Sequence, residues 1–365
     1  MKQKLSLLLA SVMALSLMTG CFKTPPAAEP APPQPEPEVV EPAPEVPDPA
    51  EDEDPFVVNF AALSGPTGVG AAQMLSDYGW TKGTQTELPD VLADAPIVAN
   101  YFIAASNDEI TPALINGDLD IAAVATNLAA VLNAKTEGGV QVLCLNTLGV
   151  LYILEKGDTV HEIADLAGKT LYAPSNTKGA NPEHILNHLL TKNGVDPTQV
   201  DIQWLTPQEI TVKMTTEDAG ICMLPVPAAT AVMVKDSNVR QAVSLSEAWE
   251  DAENSPLPMG CVVARTQFVE ENPEAVEKFL EVYGQSISYV NDEANRSDAA
   301  EKIAQLAITP SAGIAAKAIP QCNLTFVTGE EMKDHLQDYY EILFQNNPAS
   351  IGGSIPYDSF YYGVE

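Results

Sequence analysis

From residue 56 onward the apolar positions alternate between short continuous runs and helically spaced ones. Residues 56–63 (FVVNFAAL) form a β-rich apolar run, Ser64-Gly65-Pro66-Thr67-Gly68 breaks it, and residues 69–78 carry apolar side chains at helical spacing. The run 97–105 reads as a second strand. Ser106-Asn107-Asp108-Glu109 follows as a capping box, predicting a helix through Ile115 that Asn116-Gly117 closes. Residues 119–125 read as a buried strand, 127–134 as a helix and 140–145 as a further strand. A second unit with the same rhythm begins after Gly149. It comprises a short helix over 160–166, a strand over 169–173, a polar loop feeding a helix from Pro182, and strands over 200–205, 219–224 and 239–245. From Pro273 the chain turns largely helical, through Tyr289, 300–306 and 330–344. With no new sheet to cover, these helices are expected to pack back on the first unit. Alternation of this kind predicts α/β architecture, with parallel strands and helices on both faces.

Ahead of this region the pattern changes. Lys2 and Lys4 precede an apolar stretch from Leu5 to Leu17, which has the order of an export signal and is too short for a permanent span, since that needs about 20 residues. The order Leu17-Met18-Thr19-Gly20-Cys21 resembles the bacterial lipobox, with Met18 where Leu is usual. The resemblance implies removal of residues 1–20 as a lipoprotein signal peptide and a lipid on Cys21, which fixes the protein to the outer face of the cell membrane. A plain secretory signal is the alternative, and it too implies export. Residues 22–55 hold 12 of the 29 prolines, ten acidic residues and one Lys, with no apolar period. Residues 21–55 are thus expected to form a disordered, extended tether, with a reach on the order of 100 Å at about 3.1 Å per residue.

Composition narrows the chemistry. Residues 56–365 keep 40 acidic against 15 basic residues, a net of −25, so phosphate backbones are repelled and no nucleic-acid partner is expected. Cys144, Cys222 and Cys261 sit in apolar runs, Cys322 follows Pro320, and none belongs to a Cys-x-x-Cys pair. His184 and His188 lie four apart on one predicted helix without an H-E-x-x-H pattern, and read as a solvated face opposite Ile185, Leu186, Leu189 and Leu190. Dinucleotide and phosphate-loop glycine patterns are missing. No metal, cofactor or catalytic residue is therefore expected.

Four segments occur in order: Asp118-Leu119-Asp120-Ile121-Ala122; Asp165-Leu166-Ala167-Gly168-Lys169-Thr170; Glu217-Asp218-Ala219-Gly220-Ile221 leading to Pro225-Val226-Pro227; and Phe268 to Asn272 before Pro273-Glu274-Ala275. Together they resemble the solute-binding proteins of ABC importers in the group that handles nitrate, sulfonates, taurine and thiamine precursors. The resemblance covers nearly all of residues 56–365. It implies the type II periplasmic-binding-protein fold, two α/β lobes joined by two crossing strands near 142–147 and 259–264. Lobe one would be 56–147 plus 260–365 and lobe two 148–259, with Cys144 and Cys261 on neighbouring strands. The implied partners are a small-molecule solute, a membrane permease and its ATPase.

Loops after strand C-termini are where such sheets meet ligands. Ser64, Gly65, Pro66 and Thr67 follow the first strand, where glycine lets backbone approach a ligand. Thr126 and Asn127 end the strand from Leu119, and either bind the solute or cap their own helix. Asn146 and Thr147 sit at the implied crossing. Ser175, Asn176, Thr177, Lys178, Gly179, Ala180 and Asn181 combine hydroxyls, amides and the one cation of these loops, Lys178, which reads equally as a solvated lysine. Pro225 and Pro227 form a stiff wall. The three arginines, Arg240, Arg265 and Arg296, lie outside these loops, which favours a neutral or weakly anionic organic solute. The leading expectation is capture of a solute by hinge closure and its delivery to the permease. The same fold also houses menaquinone-pathway and thiamine-pyrimidine enzymes, and a surface sensor would look alike in sequence.

Overall fold

The computed structural model describes residues 55–81 and 88–364. The expected signal peptide, Cys21 and the tether up to residue 54 lie outside the described residues. Among the described residues twelve strands build two sheets: β1 (Phe56–Leu63), β2 (Gly79–Trp80), β3 (Ile97–Ala104), β4 (Ile121–Ala125), β5 (Val140–Thr147), β6 (Leu151–Lys156), β7 (Thr170–Pro174), β8 (Asp201–Leu205), β9 (Gly220–Pro225), β10 (Val239–Ser244), β11 (Gly260–Arg265) and β12 (Leu324–Val327). The first sheet has the order β12-β5-β11-β4-β1-β3-β2, the second β10-β6-β9-β7-β8.

Both sheets are mixed, so the expected parallel strands are joined by antiparallel ones. β1 pairs parallel with β3 and β4, and β7 with β8 and β9, but β11 runs antiparallel to β4 and β5, and β6 antiparallel to β9 and β10. The chain leaves the first sheet along β5 and returns along β11, so the return strand must oppose the outgoing one. The run Leu151–Lys156 supplies a strand where the pattern suggested none, and the expected helix over 160–166 is a single 3-10 turn, Ile163–Leu166, whose capping box joins Glu162 and Asp165.

The expected helix after Ser106 forms over Asn107–Asn116, and Gly117 ends it in the left-handed conformation, φ 84°, that glycine adopts without steric cost. The capping box is not made: the Ser106 side chain accepts no helix amide, and Glu109 Oε1 accepts from the Ala105 amide, one residue ahead of the N-cap. The helix Pro273–Asn291 packs on the first sheet through Phe279 and Tyr283, whose rings lie 5.5 and 6.4 Å from that of Phe60. The last long helix, Gly329–Asn346, departs from the expectation because it touches both units. Tyr340 Oη donates to the Thr126 carbonyl of the first at 2.8 Å, and Tyr339 Oη donates to Asn181 Oδ1 of the second.

Cys144 and Cys261 lie on adjacent strands, but Cys144 pairs with Val262 and Cys261 with Leu145. That offset turns their side chains to opposite faces of the sheet, one into each hydrophobic core, so no disulfide links them. Burial holds both thiols far above their ordinary pKa.

Candidate functional site

A cavity of about 560 Å³ opens where loops of the two sheets face each other. The first sheet contributes Ser64, Gly65 and Pro66 after β1 and Ala105 after β3. The second contributes Pro207, Gln208 and Thr211 after β8, with Leu224 to Ala228 and Ala231 at and beyond the end of β9. Ile308 and Pro310 close it from the C-terminal third. Every strand-derived wall lies at the C-terminal end of its strand, where backbone groups not used in the sheet are available to a ligand.

Local sequence explains these walls. Gly65 has φ 130°, a backbone conformation a side chain disfavours, and it turns the chain from β1 into the five-residue helix Pro66–Gly70. Thr206 begins the helix Pro207–Thr216 with a complete capping box, Thr206 accepting from the Glu209 amide while Glu209 accepts from the Thr206 amide. This aims Gln208 and Thr211 at the cavity from the first turns of that helix. Among the described residues, no lining residue carries a charge, so oriented dipoles and apolar surface are what these walls offer a guest.

Of the residues singled out in the sequence, the structure brings Ser64, Gly65, Pro66, Pro225 and Pro227 together around this space. The others lie elsewhere. Thr67 is buried just behind the wall, its hydroxyl donating to the Leu63 carbonyl. Thr126 donates to the Pro258 carbonyl and Asn127 to that of Ser350, so both serve the packing of the chain. Ser175, Asn176, Lys178 and Gly179 are exposed, Thr177 donates to the Pro174 carbonyl, and the Gly179 amide donates to Glu183. Ala180 is the N-cap of the helix Asn181–Lys192, and Asn181 is buried against Tyr339 and Met259. Asn146 and Thr147 are wholly buried at the end of β5.

Gln208, Thr211 and Ala105 escaped the sequence reading, although the rule that selected the other loops applies equally to the loops after β3 and β8. Ile308 and Pro310 follow no strand and had no such signal.

Arg265, Arg240 and His188 are spent on structure. Arg265 binds Asp120 at 2.7 Å, and Asp120 also accepts from the amide and side chain of Asn59, which ties β1 to β4 and β11. Arg240 reaches Glu155 at 2.6 Å. His188 is buried, with Nε2 2.6 Å from Glu253 and Nδ1 2.9 Å from Asn346, which corrects its reading as a solvated residue. The Asn181–Lys192 helix has a second buried side, covered by the helix Gly329–Asn346. A larger groove of about 950 Å³ runs along the helix Pro273–Asn291, but its described lining includes no residue of the second sheet's strands or loops and does include Glu281 and Asp292. No helix among the described residues is long and apolar enough to cross a membrane.

Residues 106–296 match the family described as NMT1/THI5 like. No curated protein matches the chain. Among solved structures, an ABC transporter protein from Parabacteroides distasonis is similar with a TM-score of 0.67 at 19% identity, over 84% of this chain and 98% of that one. The periplasmic aliphatic sulphonate-binding protein SsuA from Escherichia coli gives 0.63 at 15% identity, over 82% and 96%. The alkanesulfonate-binding protein SsuA from Xanthomonas axonopodis pv. citri, bound to MOPS, gives 0.59 at 13% identity, over 83% and 96%. The shared architecture is the type II periplasmic-binding-protein fold, two α/β lobes joined by two crossing strands.

Proposed function

The chain belongs to the NMT1/THI5-like family, and from that premise we propose that it is the solute-binding component of an ABC importer, anchored outside the cell membrane through Cys21. Lobe one, 56–147 plus 260–365, and lobe two, 148–259, close on a small uncharged organic solute and present it to a permease and its ATPase. The observation that carries this reading is the 560 Å³ cavity walled by strand-end loops of both sheets. Its size suits a small organic molecule, and its lack of charged lining residues favours a neutral guest over nitrate or a sulfonate. The absence of His, Cys, Asp, Glu and Lys from the described lining gives a guest no side chain for proton transfer, which supports binding over turnover.

Titration with a panel of neutral and anionic metabolites, followed by thermal shift and small-angle scattering, tests the reading. A neutral compound should raise the melting temperature and contract the particle. Conversion of that compound into a product would overturn it. Radiolabelled palmitate fed to expressing cells should mark the wild-type chain and leave Cys21→Ser unlabelled.

A further inference from the structure

Fifteen described residues line the 560 Å³ cavity, and five of them are prolines: Pro66, Pro207, Pro225, Pro227 and Pro310. A proline has no amide proton to give and its ring cannot turn, so these walls are stiff, apolar and poor in donors. Side-chain recognition of polar groups therefore falls to three residues of the lining. They are Ser64 after β1, and Gln208 and Thr211, three residues apart on the helix Pro207–Thr216. A guest can reach them, since Ser64 and Gln208 are exposed and Thr211 is half-buried.

Their hydrogen-bonding capacities differ. Thr211 Oγ1 donates to the Pro207 carbonyl at 2.8 Å, so its one proton is used and it offers a guest only an acceptor. The Ser64 hydroxyl has no partner among the described residues and can donate or accept, so it discriminates little between guests. The Gln208 carboxamide is likewise unpartnered among the described residues, and it presents an acceptor oxygen and a donor nitrogen side by side in one plane. The capping box on either side of it makes no demand on this group, because Thr206 and Glu209 pair with each other. A flip of the amide exchanges its two atoms and leaves the offer unchanged.

We propose that Gln208 is the specificity-determining residue of the site, and that its solute carries an amide edge, an N–H and a C=O side by side on an uncharged ring. The Gln208 oxygen accepts from the solute N–H while its NH2 group donates to the solute carbonyl, the two-point pairing by which side-chain amides read adenine. Thr211 Oγ1 accepts the second N–H of a cyclic urea. The proline walls and Ile308 hold the body of the ring. This proposal rests on the solute-binding reading and adds to it the chemical class. Nitrate and sulfonates bring acceptors alone, which leaves the Gln208 oxygen and Thr211 unpaired as closing lobes exclude water. Polyols bring more hydroxyls than three side chains can pair.

Calorimetric titration of the full chain tests this with δ-valerolactam, N-methyl-δ-valerolactam, cyclohexanone, 2-imidazolidinone, erythritol and methanesulfonate. Wild type should bind δ-valerolactam at least tenfold more tightly than its N-methyl derivative or cyclohexanone. Gln208→Leu loses no internal hydrogen bond and should melt as wild type does, and in it that preference should fall to within twofold. A Gln208 that only shaped the wall would alter all three affinities together and keep their ratio, an outcome that overturns the proposal. Thr211→Val should weaken 2-imidazolidinone at least threefold and leave δ-valerolactam within twofold, whereas equal losses would overturn the pairing assigned to Thr211. Tighter binding of erythritol or methanesulfonate than of either unmethylated amide overturns the proposal while the solute-binding reading stands. Failure of every probe overturns the proposal, and failure of the wider metabolite panel as well overturns the reading.

Discussion

Asn346 Nδ2 lies 2.9 Å from Nδ1 of His188, and this contact, together with the Tyr339–Asn181 hydrogen bond, joins the C-terminal helix Gly329–Asn346 to the helix Asn181–Lys192 of the second unit. Nδ1 accepts from the amide, so Nε2 carries the proton that is donated to Glu253 Oε1 at 2.6 Å. The ring is enclosed further by Trp249, with centroids 5.0 Å apart.

Replacing His188 by Ala should therefore destabilise the protein by about 2–4 kcal/mol, from a lost buried hydrogen bond, a cavity beside Trp249, and a Glu253 carboxylate left with Lys192 alone. Urea unfolding of the variant against wild type measures this. A loss under half a kilocalorie would show that the two helices are held by other contacts.

Acid should weaken the fold through Glu155. Burial pushes its carboxyl up, but the Thr159 hydroxyl and amide, the Val160 amide and the Arg240 guanidinium together hold it below its ordinary value. A depressed carboxyl contributes its full stability above the unfolded-state pKa, near 4.3, and loses it as pH falls through the lower folded value. Melting temperature should thus fall steeply below about pH 4.3 in wild type, and Glu155→Gln should flatten that limb while costing about 3 kcal/mol at neutral pH.

Asp120 lies in one of the ordered segments that carry the family resemblance, and its role is structural. It accepts from Asn59 twice and from Arg265 once, at 2.7–2.9 Å. Asp120→Ala should cost about 3–5 kcal/mol by leaving the guanidinium and the Asn59 donors without their partner. Solute affinity per folded molecule should stay within twofold, measured by titration at a temperature where the variant is folded.

Lys178 is exposed and outside the cavity lining, whereas Ala231 stands in its wall. Lys178→Ala should leave binding of any solute within twofold. Ala231→Phe should fill the cavity and weaken binding at least tenfold with little change in melting temperature. The reverse pattern would move the site to the Ser175–Asn181 loop.

Sequence reading reached the parts of this protein that local pattern controls. Continuous apolar runs gave β1, β3, β4 and β5, the dipeptide Asn116-Gly117 marked a helix end, and four ordered segments indicated the fold. It failed where the deciding contact is distant. Lys178 and Asn181 have the composition of a binding loop, yet Asn181 is taken by Tyr339, 158 residues away. His188 has the spacing of a surface residue on one helix, yet a second helix covers it.

The chain's own order of residues determined two α/β units and an acidic surface, because each follows from periodicity or composition, whereas the antiparallel return of β11 came from the pairing of distant strands. Only the tertiary structure decided which strand-end loops share a cavity, and that the arginines lie in ion pairs or away from it. It alone revealed that Gln208 and Thr211 line the same space as Ser64. Those outcomes depend on strand register and on helices brought together from distant segments, and no window of sequence contains both partners.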